Sequence, residues 1–211
     1  QDRRPATISN TCGSALTDYQ VLISLDPSFD FAKAKTDGSD IRVTDADGTT
    51  LVPFWIESWD AGNQQARIWV KMPTIAANGT AAYLYYGNPA AASVSNGSST
   101  FILFDDAWVL PLWTKTGNPA VSNGIISFVS GQAIQSPGTY SPGSALGYRA
   151  NFKGGSSSYK WAGFISGSVP PFTYIGVSQD QGTNLILTNY VLGPRGASSL
   201  GAIGNAFHVY E

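Results

Sequence analysis

The chain has 211 residues, a net charge of −2 and 12% charged residues beside 43% apolar residues. The apolar share is enough to build real cores and excludes global disorder. The near-neutral charge balance, with no basic cluster longer than Arg3-Arg4, argues against nucleic acid as a partner. No apolar run approaches the roughly 18 residues of a membrane-spanning helix, so we predict no membrane-spanning segment.

The composition is typical of a secreted β-protein. Gly (23) and Pro (12) supply many turns, and Ser, Thr and Asn are abundant. We interpret Gln1 as a mature N-terminus left by signal cleavage, and we expect an extracellular or cell-surface location. The single cysteine, Cys12, cannot form an intrachain disulfide, and we expect it to be a small buried side chain.

The first half of the chain alternates apolar and polar residues with the two-residue period of β-strands. The strand signals are, in chain order, "YQVLISL", "DIRVTD", "TLVPFWIE", "ARIWVKM" and "TAAYLYYGN". In "ARIWVKM", Ile68, Val70 and Met72 share one face, whereas Trp69 lies on the other face and should point away from the core. The turn "DADG" at 45–48 predicts a hairpin-type connection.

One short helix is predicted within "DPSFDFAKAK" at residues 26–35. Asp26 would be its N-cap and Pro27 its first helical residue, which are positions that these residue types favour. No other stretch has a sustained 3.6-residue period, so the sequence predicts an all-β fold.

The composition changes at 87–100, where "GNPAAASVSNGSST" is small, polar and without strand signals. We therefore predict two domains, at 1–104 and 105–211. The second half has its own strand signals, "GIISFVS", "ALGYRANF", "YKWAGFIS", "FTYIGVS", "TNLILTNY" and "FHVYE". Short strands separated by turns predict two antiparallel β-sandwich, jelly-roll-like domains in tandem rather than βαβ units.

The first half resembles an uncharacterised family, a domain of unknown function found in secreted and surface proteins of archaea and bacteria. The stretches that carry the resemblance are "RRPATISN", "LTDYQVLISL", "DGSDIRVTDADGTTLVPFWIE" and "RIWVKMPTIAANGTAAYLYYGN". Asp2 departs from the aromatic residue that this family tends to place before Arg-Arg-Pro. The resemblance implies an extracellular accessory module and supplies no catalytic residues.

The second half is similar to concanavalin-like (laminin-G-type) jelly-roll domains. "FDDAW", "VSNGIISF", "ALGYRANF" and "YKWAGFIS" carry this similarity. Domains of that type usually continue past a strand such as "FHVYE" into return strands, so the resemblance implies a domain that lacks its closing strands.

Catalytic side chains are scarce in the sequence. Its two glutamates, Glu57 and Glu211, lie in different halves, so the glutamate pair of concanavalin-like glucanases cannot form. Asp105 and Asp106 are adjacent and would point to opposite faces of a strand. His208 has no histidine or cysteine partner, and we interpret it as a strand residue. We therefore predict that the chain is not an enzyme.

One metal hypothesis remains, a calcium site in "DGSDIRVTDADG" formed by Asp37, Asp40, Asp45 and Asp47. Calcium prefers several oxygen ligands supplied by turns. The alternative, which we favour, is that these aspartates form ordinary turns on either side of the strand "IRVT".

Exposed aromatic residues are candidate ligand-binding side chains. Trp69 shares a strand face with Arg67 and Lys71, and Tyr83 and Tyr85 alternate around Leu84. Aromatic rings on the outside of a sheet can bind sugar rings or another protein. Packing under a loop or a neighbouring domain explains them equally well.

Two glycosylation sequons, at Asn78 and Asn96, fall in turn-like segments. They predict that these two asparagines are exposed at the surface.

The sequence favours a structural or adhesive surface protein, such as a filament or sheath subunit that associates with itself or with other surface proteins. The alternative is a carbohydrate-binding module of a larger glycan-active protein. The two differ in whether a glycan binds saturably through Trp69.

The last stretch, "GNAFHVYE", begins like a strand and lacks a closing turn. If the second domain lacks strands, an apolar groove with unpaired strand edges results. It could be filled by further chain, by the first domain or by a strand of a neighbouring subunit. The N-terminal "QDRRPATISN" is a candidate donor because Pro5 suits an edge strand. Simple truncation is the alternative that we favour slightly.

Overall fold

The computed structural model describes residues 2–129 and 131–140, and the strand backbones at 148–150, 160–166, 173–179, 184–190, 196–202 and 208–210. The chain divides into two compact units, Gln1–Trp108 and Val109–Glu211. This division lies close to the boundary that the sequence predicts after residue 104.

The first unit contains two antiparallel sheets of three strands each. The strands are β1 (Asp2–Ile8), β2 (Leu16–Leu25), β3 (Arg42–Thr44), β4 (Phe54–Asp60), β5 (Gln65–Ile75) and β6 (Thr80–Tyr86). The strand orders are β1-β6-β3 in one sheet and β2-β5-β4 in the other. A single turn of helix, α1 (Gly97–Thr100), follows the strands. The prediction of an all-β fold is confirmed.

Strand alternation places the core between the two sheets. On β5, Ile68 and Val70 are fully buried, and on β6, Ala82 and Leu84 are buried equally well. Side chains of both sheets belong to one hydrophobic cluster, so the unit is a β-sandwich. The predicted core face of "ARIWVKM" is confirmed, because the intervening side chains are only half-buried.

The predicted helix at 26–35 is wrong, and the segment is a series of turns. The Phe29 N–H bonds to the Asp26 carbonyl at 2.9 Å, and the Phe31 N–H bonds to the Phe29 carbonyl at 3.0 Å. Phe29 and Phe31 are both buried, although residues two apart on a helix point to opposite sides. Burying both rings therefore requires the turns, and Asp26 caps a turn through a bond from the Ser28 N–H at 2.9 Å.

The connection between β3 and β4 closes one lateral side of the sandwich. Val52 donates its N–H to the Val43 carbonyl at 3.0 Å in the first sheet. Pro53, the next residue, accepts the Lys71 N–H at 2.9 Å in the second sheet. The hairpin-type turn predicted at 45–48 lies within this connection and is confirmed by the bond from the Asp45 N–H to the Thr50 carbonyl at 3.0 Å.

The second unit is also built from antiparallel pairs. Its strands are β7 (Thr114–Thr116), β8 (Ala120–Ser122), β9 (Ile125–Ser127), β10 (Ala133–Gln135), β11 (Tyr148–Ala150), β12 (Lys160–Ser166), β13 (Thr173–Gln179), β14 (Asn184–Tyr190), β15 (Gly196–Ala202) and β16 (His208–Tyr210). Strands β12 to β15 form one sheet in sequence order. The strand that begins at His208 pairs with β11. Within the described residues, no helix is long and apolar enough to cross a bilayer.

Candidate functional site

Trp69 lies on the outer face of the sheet β2-β5-β4, as predicted, but other rings pack against it. Its ring centroid lies 5.6 Å from that of Phe101. Trp55, its cross-strand neighbour, contacts Phe101 at 5.8 Å and Phe104 at 4.8 Å. Trp69 thus packs against Phe101 in an edge-on arrangement, as the packing alternative expects, and its role in ligand binding stays a prediction.

The segment that covers this face, residues 95–104, is here named the strap. It pairs with the edge of β4, since the Asn96 N–H bonds to the Phe54 carbonyl at 2.8 Å and the Ile56 N–H bonds to Ser95 Oγ at 2.8 Å. Asn96 caps α1 by accepting the Ser99 N–H at 2.9 Å. The strap overlaps the stretch at 87–100, whose small and polar residues predict no strand.

Glu57 is held beneath the aromatic rings by a β-bulge. The register of β4 shifts between Ile56 and Ser58, so Glu57 and Ser58 both lie opposite Arg67. The carboxylate Oε2 of Glu57 accepts hydrogen bonds from Arg67 Nε at 3.0 Å and from Trp69 Nε1 at 2.9 Å. The glutamate side chain is only 18% exposed, and its two hydrogen bonds link β4 to β5.

Tyr83 and Tyr85 lie on the outer face of the other sheet, on the opposite side of the core from Trp69. The Arg3 guanidinium lies 4.7 Å from the centroid of the Tyr83 ring. The Tyr85 hydroxyl donates to the Gly48 carbonyl at 2.7 Å, and it raises the pKa of the adjacent Arg3. The three predicted ligand-binding residues therefore form two separate surfaces, and Arg3 joins the tyrosine surface.

The four aspartates of the calcium hypothesis bond to different backbone amides. Asp40 is buried and accepts the N–H groups of Lys35 and Gly87 at 3.0 and 2.7 Å. Asp37 and Asp45 each accept the N–H two residues ahead. The Thr50 hydroxyl and the N–H groups of Thr50 and Thr49 hold the pKa of Asp47 well below its usual range. Among the described residues, no three acidic, histidine or cysteine side chains are grouped to hold a metal.

Both sequon asparagines, Asn78 and Asn96, are exposed. Asn78 lies in the turn between β5 and β6, which the Gly79 N–H closes by bonding to the Ala76 carbonyl at 2.8 Å. Both positions are sterically open at the surface, as their turn-like sequences predict.

The expectation that Cys12 is buried is wrong, because the residue is an exposed free cysteine. It lies in the turn between β1 and β2, where its thiol Sγ lies 2.9 Å from Asn10 Oδ1. Five successive residues of this turn are exposed, so it offers no apolar environment for a thiol.

A groove lies between β1 and β2, the edge strands of the two sheets, on the side opposite the β3–β4 connection. Its volume is about 260 Å³, and the lining consists of Arg4 to Ile8, Val21 to Asp26 and Leu84. Among the described residues, β1 pairs only with β6, and β2 pairs only with β5. Both strands therefore present a free edge to this groove, which the sequence did not reveal because strand order is a long-range property.

The groove has a polar end near the start of β1. Arg4 donates from both terminal nitrogens to Ser28, with Nη2 lying 2.7 Å from Ser28 Oγ. Lys33 forms an ion pair with Asp2 at 3.0 Å. These bonds link β1 to the turns at 26–35 and close the groove at this end.

The predicted donor stretch "QDRRPATISN" is already paired within its own sheet. Residues Asp2 to Ile8 form β1, in antiparallel register with Thr80 to Tyr86 of β6. Pro5 therefore lies in an edge strand, as expected. Within the described residues, the strands of the first unit with a free edge at the groove are β1 and β2, whereas the predicted acceptor was the second domain.

Residues 37–118 match the family model described as a domain of unknown function (DUF2341). No curated protein and no solved structure matches the chain. The matched region contains β3 to β6, the strap and β7 but not β1 and β2, so the chain is similar to an uncharacterised domain over residues 37–118, which end ten residues beyond the first unit.

Proposed function

We propose that this chain is a non-catalytic structural or adhesive building block of an extracellular surface assembly, whose copies associate through β-strand pairing. The observation that carries the proposal is the open side of the first sandwich, where β1 and β2 present free edges across one groove. Exposed edges are a liability for a monomer, whereas a subunit of an assembly uses them.

Three further features support this proposal. The low charge content is typical of secreted β-proteins, and both sequon asparagines are exposed. Glu57, the glutamate of the first unit, is bound by Arg67 and Trp69 and so is poorly placed to act as a proton-transfer group.

Electron microscopy of native cell-surface material tests the function directly. An antibody raised against residues 2–108, with a gold label, should decorate filaments or ordered arrays. Label found only on dispersed particles would contradict the proposal.

A carbohydrate-binding function is the second candidate, and the tyrosine surface favours it. Tyr83 and Tyr85 lie side by side on an outer sheet face, with Arg3 as a hydrogen-bond donor beside them. Planar rings next to a charged donor suit a sugar ring and its hydroxyl groups. On a glycan array, Tyr83→Ala should then abolish saturable binding, while Tyr19→Ala, which removes an exposed tyrosine of the other sheet, should not.

A further inference from the structure

The two strands that border the groove differ in their capacity to accept another strand. Proline has no backbone N–H, so Pro5 removes one donor from β1, and proline on an edge strand is a common device against pairing. In β2, residues 19–25 read "YQVLISL" and contain no proline, glycine or charged residue. Within the described part of the chain, the free edge of β2 at 19–25 therefore keeps its backbone donors and acceptors unpaired and lacks the prolines and charges that usually protect an edge.

The core beside β2 is incompletely covered. Val21 faces the core and packs against it, yet it is only half-buried, as is Ala6 on the opposite side of the groove. Val70, which lies directly opposite Val21 on the central strand β5, is fully buried. A further strand paired with the free edge of β2 would cover the exposed part of Val21, just as β5 already covers the opposite edge of β2.

The groove is better suited to a strand than to a small molecule. Its volume of about 260 Å³ is at or below the lower end of the roughly 300–1,000 Å³ of ligand pockets. Its charged lining residues, Arg4 and Asp26, both bond to Ser28. What the groove still offers is apolar side chains and the free backbone groups of β2, which an extended chain satisfies.

The sequence of β2 points to a second copy of the same strand as the occupant. Two copies of an apolar, uncharged segment with high β-propensity pair readily. When two copies of β2 pair in antiparallel fashion about a two-fold axis, their core-facing sides lie on the same side of the joined sheet. Val21, Ile23 and Leu25 of one copy would then lie next to the same three residues of the partner. A net charge of −2 gives little repulsion between copies.

Each of the carboxylates at the two ends of β2 has a basic residue close to it within the same copy. Asp18 forms an ion pair with Lys71 at 3.2 Å. Asp26 lies close to Arg4, whose charge contributes to holding the pKa of Asp26 below its usual range, after the hydrogen bonds from Ser28. The antiparallel approach of two such strands therefore brings compensated carboxylates together.

We propose that the free edge of β2 is a dimerisation surface, at which a second copy of this chain pairs its own β2 in antiparallel register. The three-stranded sheet of each copy then becomes half of one continuous sheet across the dimer. This inference rests on the proposed function, because it names the strand and the partner for one contact of the assembly. A two-fold contact closes on itself, so the dimer is the unit from which an array would be built.

Sedimentation velocity of the full chain, in a Cys12→Ser background that prevents disulfide dimers, tests the proposal. The unaltered edge should give a concentration-dependent dimer. Val21→Lys places a charge in the groove and should weaken dimerisation at least tenfold, since inward-pointing charges oppose edge pairing. Thr74→Lys adds the same charge at an exposed position of β5 and should leave the dimer intact.

Ser24→Lys provides a second variant of the β2 edge, at an exposed position on the outer face of the strand, where charges on both copies would lie close together across the paired edges. It decides the test if Val21→Lys lowers the melting temperature. A chain that stays monomeric at every concentration would overturn the proposal, as would Ser24→Lys dimerising like Thr74→Lys. Ordered labelled arrays on cells together with an unaffected Ser24→Lys dimer would overturn the β2 assignment alone and leave the proposed function standing.

Discussion

Glu57 and Trp69 are joined by a hydrogen bond of 2.9 Å from the indole Nε1 to the carboxylate Oε2 across the bulge in β4. The same oxygen accepts Arg67 Nε at 3.0 Å. The extra residue of the bulge in β4 thus orients Glu57 towards the aromatic side chains. Its carboxylate there accepts a hydrogen bond from the half-buried indole of Trp69. The indole of Trp69 is therefore engaged in packing on this sheet face, and its role in ligand binding stays a prediction.

A double-mutant cycle of Trp69→Phe and Glu57→Ala should show a coupling free energy of about 1.5–3 kcal/mol, because a hydrogen bond to a charged group contributes that much. Urea unfolding of the four proteins measures it. Additive losses of stability would mean that the bond contributes nothing.

Asp40 holds the segment after residue 35 against the end of β6. Asp40→Ala leaves the N–H groups of Lys35, Gly87 and Asn88 without their acceptor, and it should cost about 3 kcal/mol or more. Asp37→Ala is the matched control, since its exposed carboxylate accepts the Ser39 N–H, and it should destabilise the fold much less than Asp40→Ala. Equal melting temperatures for the two variants would contradict this role.

Gly38 is required both by its backbone conformation and by Trp59. Its φ is +68°, and a Cβ atom at this position would lie 2.7 Å from the Trp59 ring. Gly13 has a φ of +78° with no atom within 4 Å of such a Cβ, so Gly13→Ala measures the backbone cost alone. Gly38→Ala should lower the melting temperature more than Gly13→Ala, and equal shifts would show that Trp59 moves aside freely.

Several surface carboxylates should make the protein sensitive to acid. Hydrogen bonds from Thr50, Ser28, Ser39 and Asn63 lower the pKa values of Asp47, Asp26, Asp37 and Asp60 respectively. A carboxylate whose pKa is lower in the folded state stabilises the fold above its unfolded pKa of about 3.9. This contribution is lost as the pH falls below about 4.

Melting temperatures measured between pH 6 and pH 2 should therefore be level above about pH 5 and fall below about pH 4. Asp47→Asn should make this fall shallower, because that carboxylate carries the largest of these shifts. A melting temperature that does not change down to pH 2 would contradict the assignment.

Local patterns predict much of the first unit. The alternation in "ARIWVKM" predicts which residues are buried, since neighbouring strand residues must face opposite sides. The signal fails at 26–35, where burial of Phe29 and Phe31 outweighs the capping residues. It also misses β15, because "GASSLGA" is rich in small residues with low β-propensity.

The candidate sites depend on features that local sequence does not encode. The separation of Trp69 from Tyr83 and Tyr85 follows from β5 and β6 belonging to different sheets. The groove likewise arises because β1 and β2, although consecutive, each lie at the edge of a different sheet. Pro5 indicates an edge strand, and the uncharged run in β2 is the signal that could have identified the exposed partner strand.

Hydrogen–deuterium exchange of the unmodified chain tests the central claim, association through the β2 edge, most directly. The chain would be labelled at high concentration and again after dilution below the association range, and the peptide covering residues 19–25 compared. Association should slow its exchange in the concentrated sample, because backbone N–H groups on the free edge become bonded to the partner strand. Identical exchange of this peptide at both concentrations, with protection appearing elsewhere or nowhere, would contradict the account.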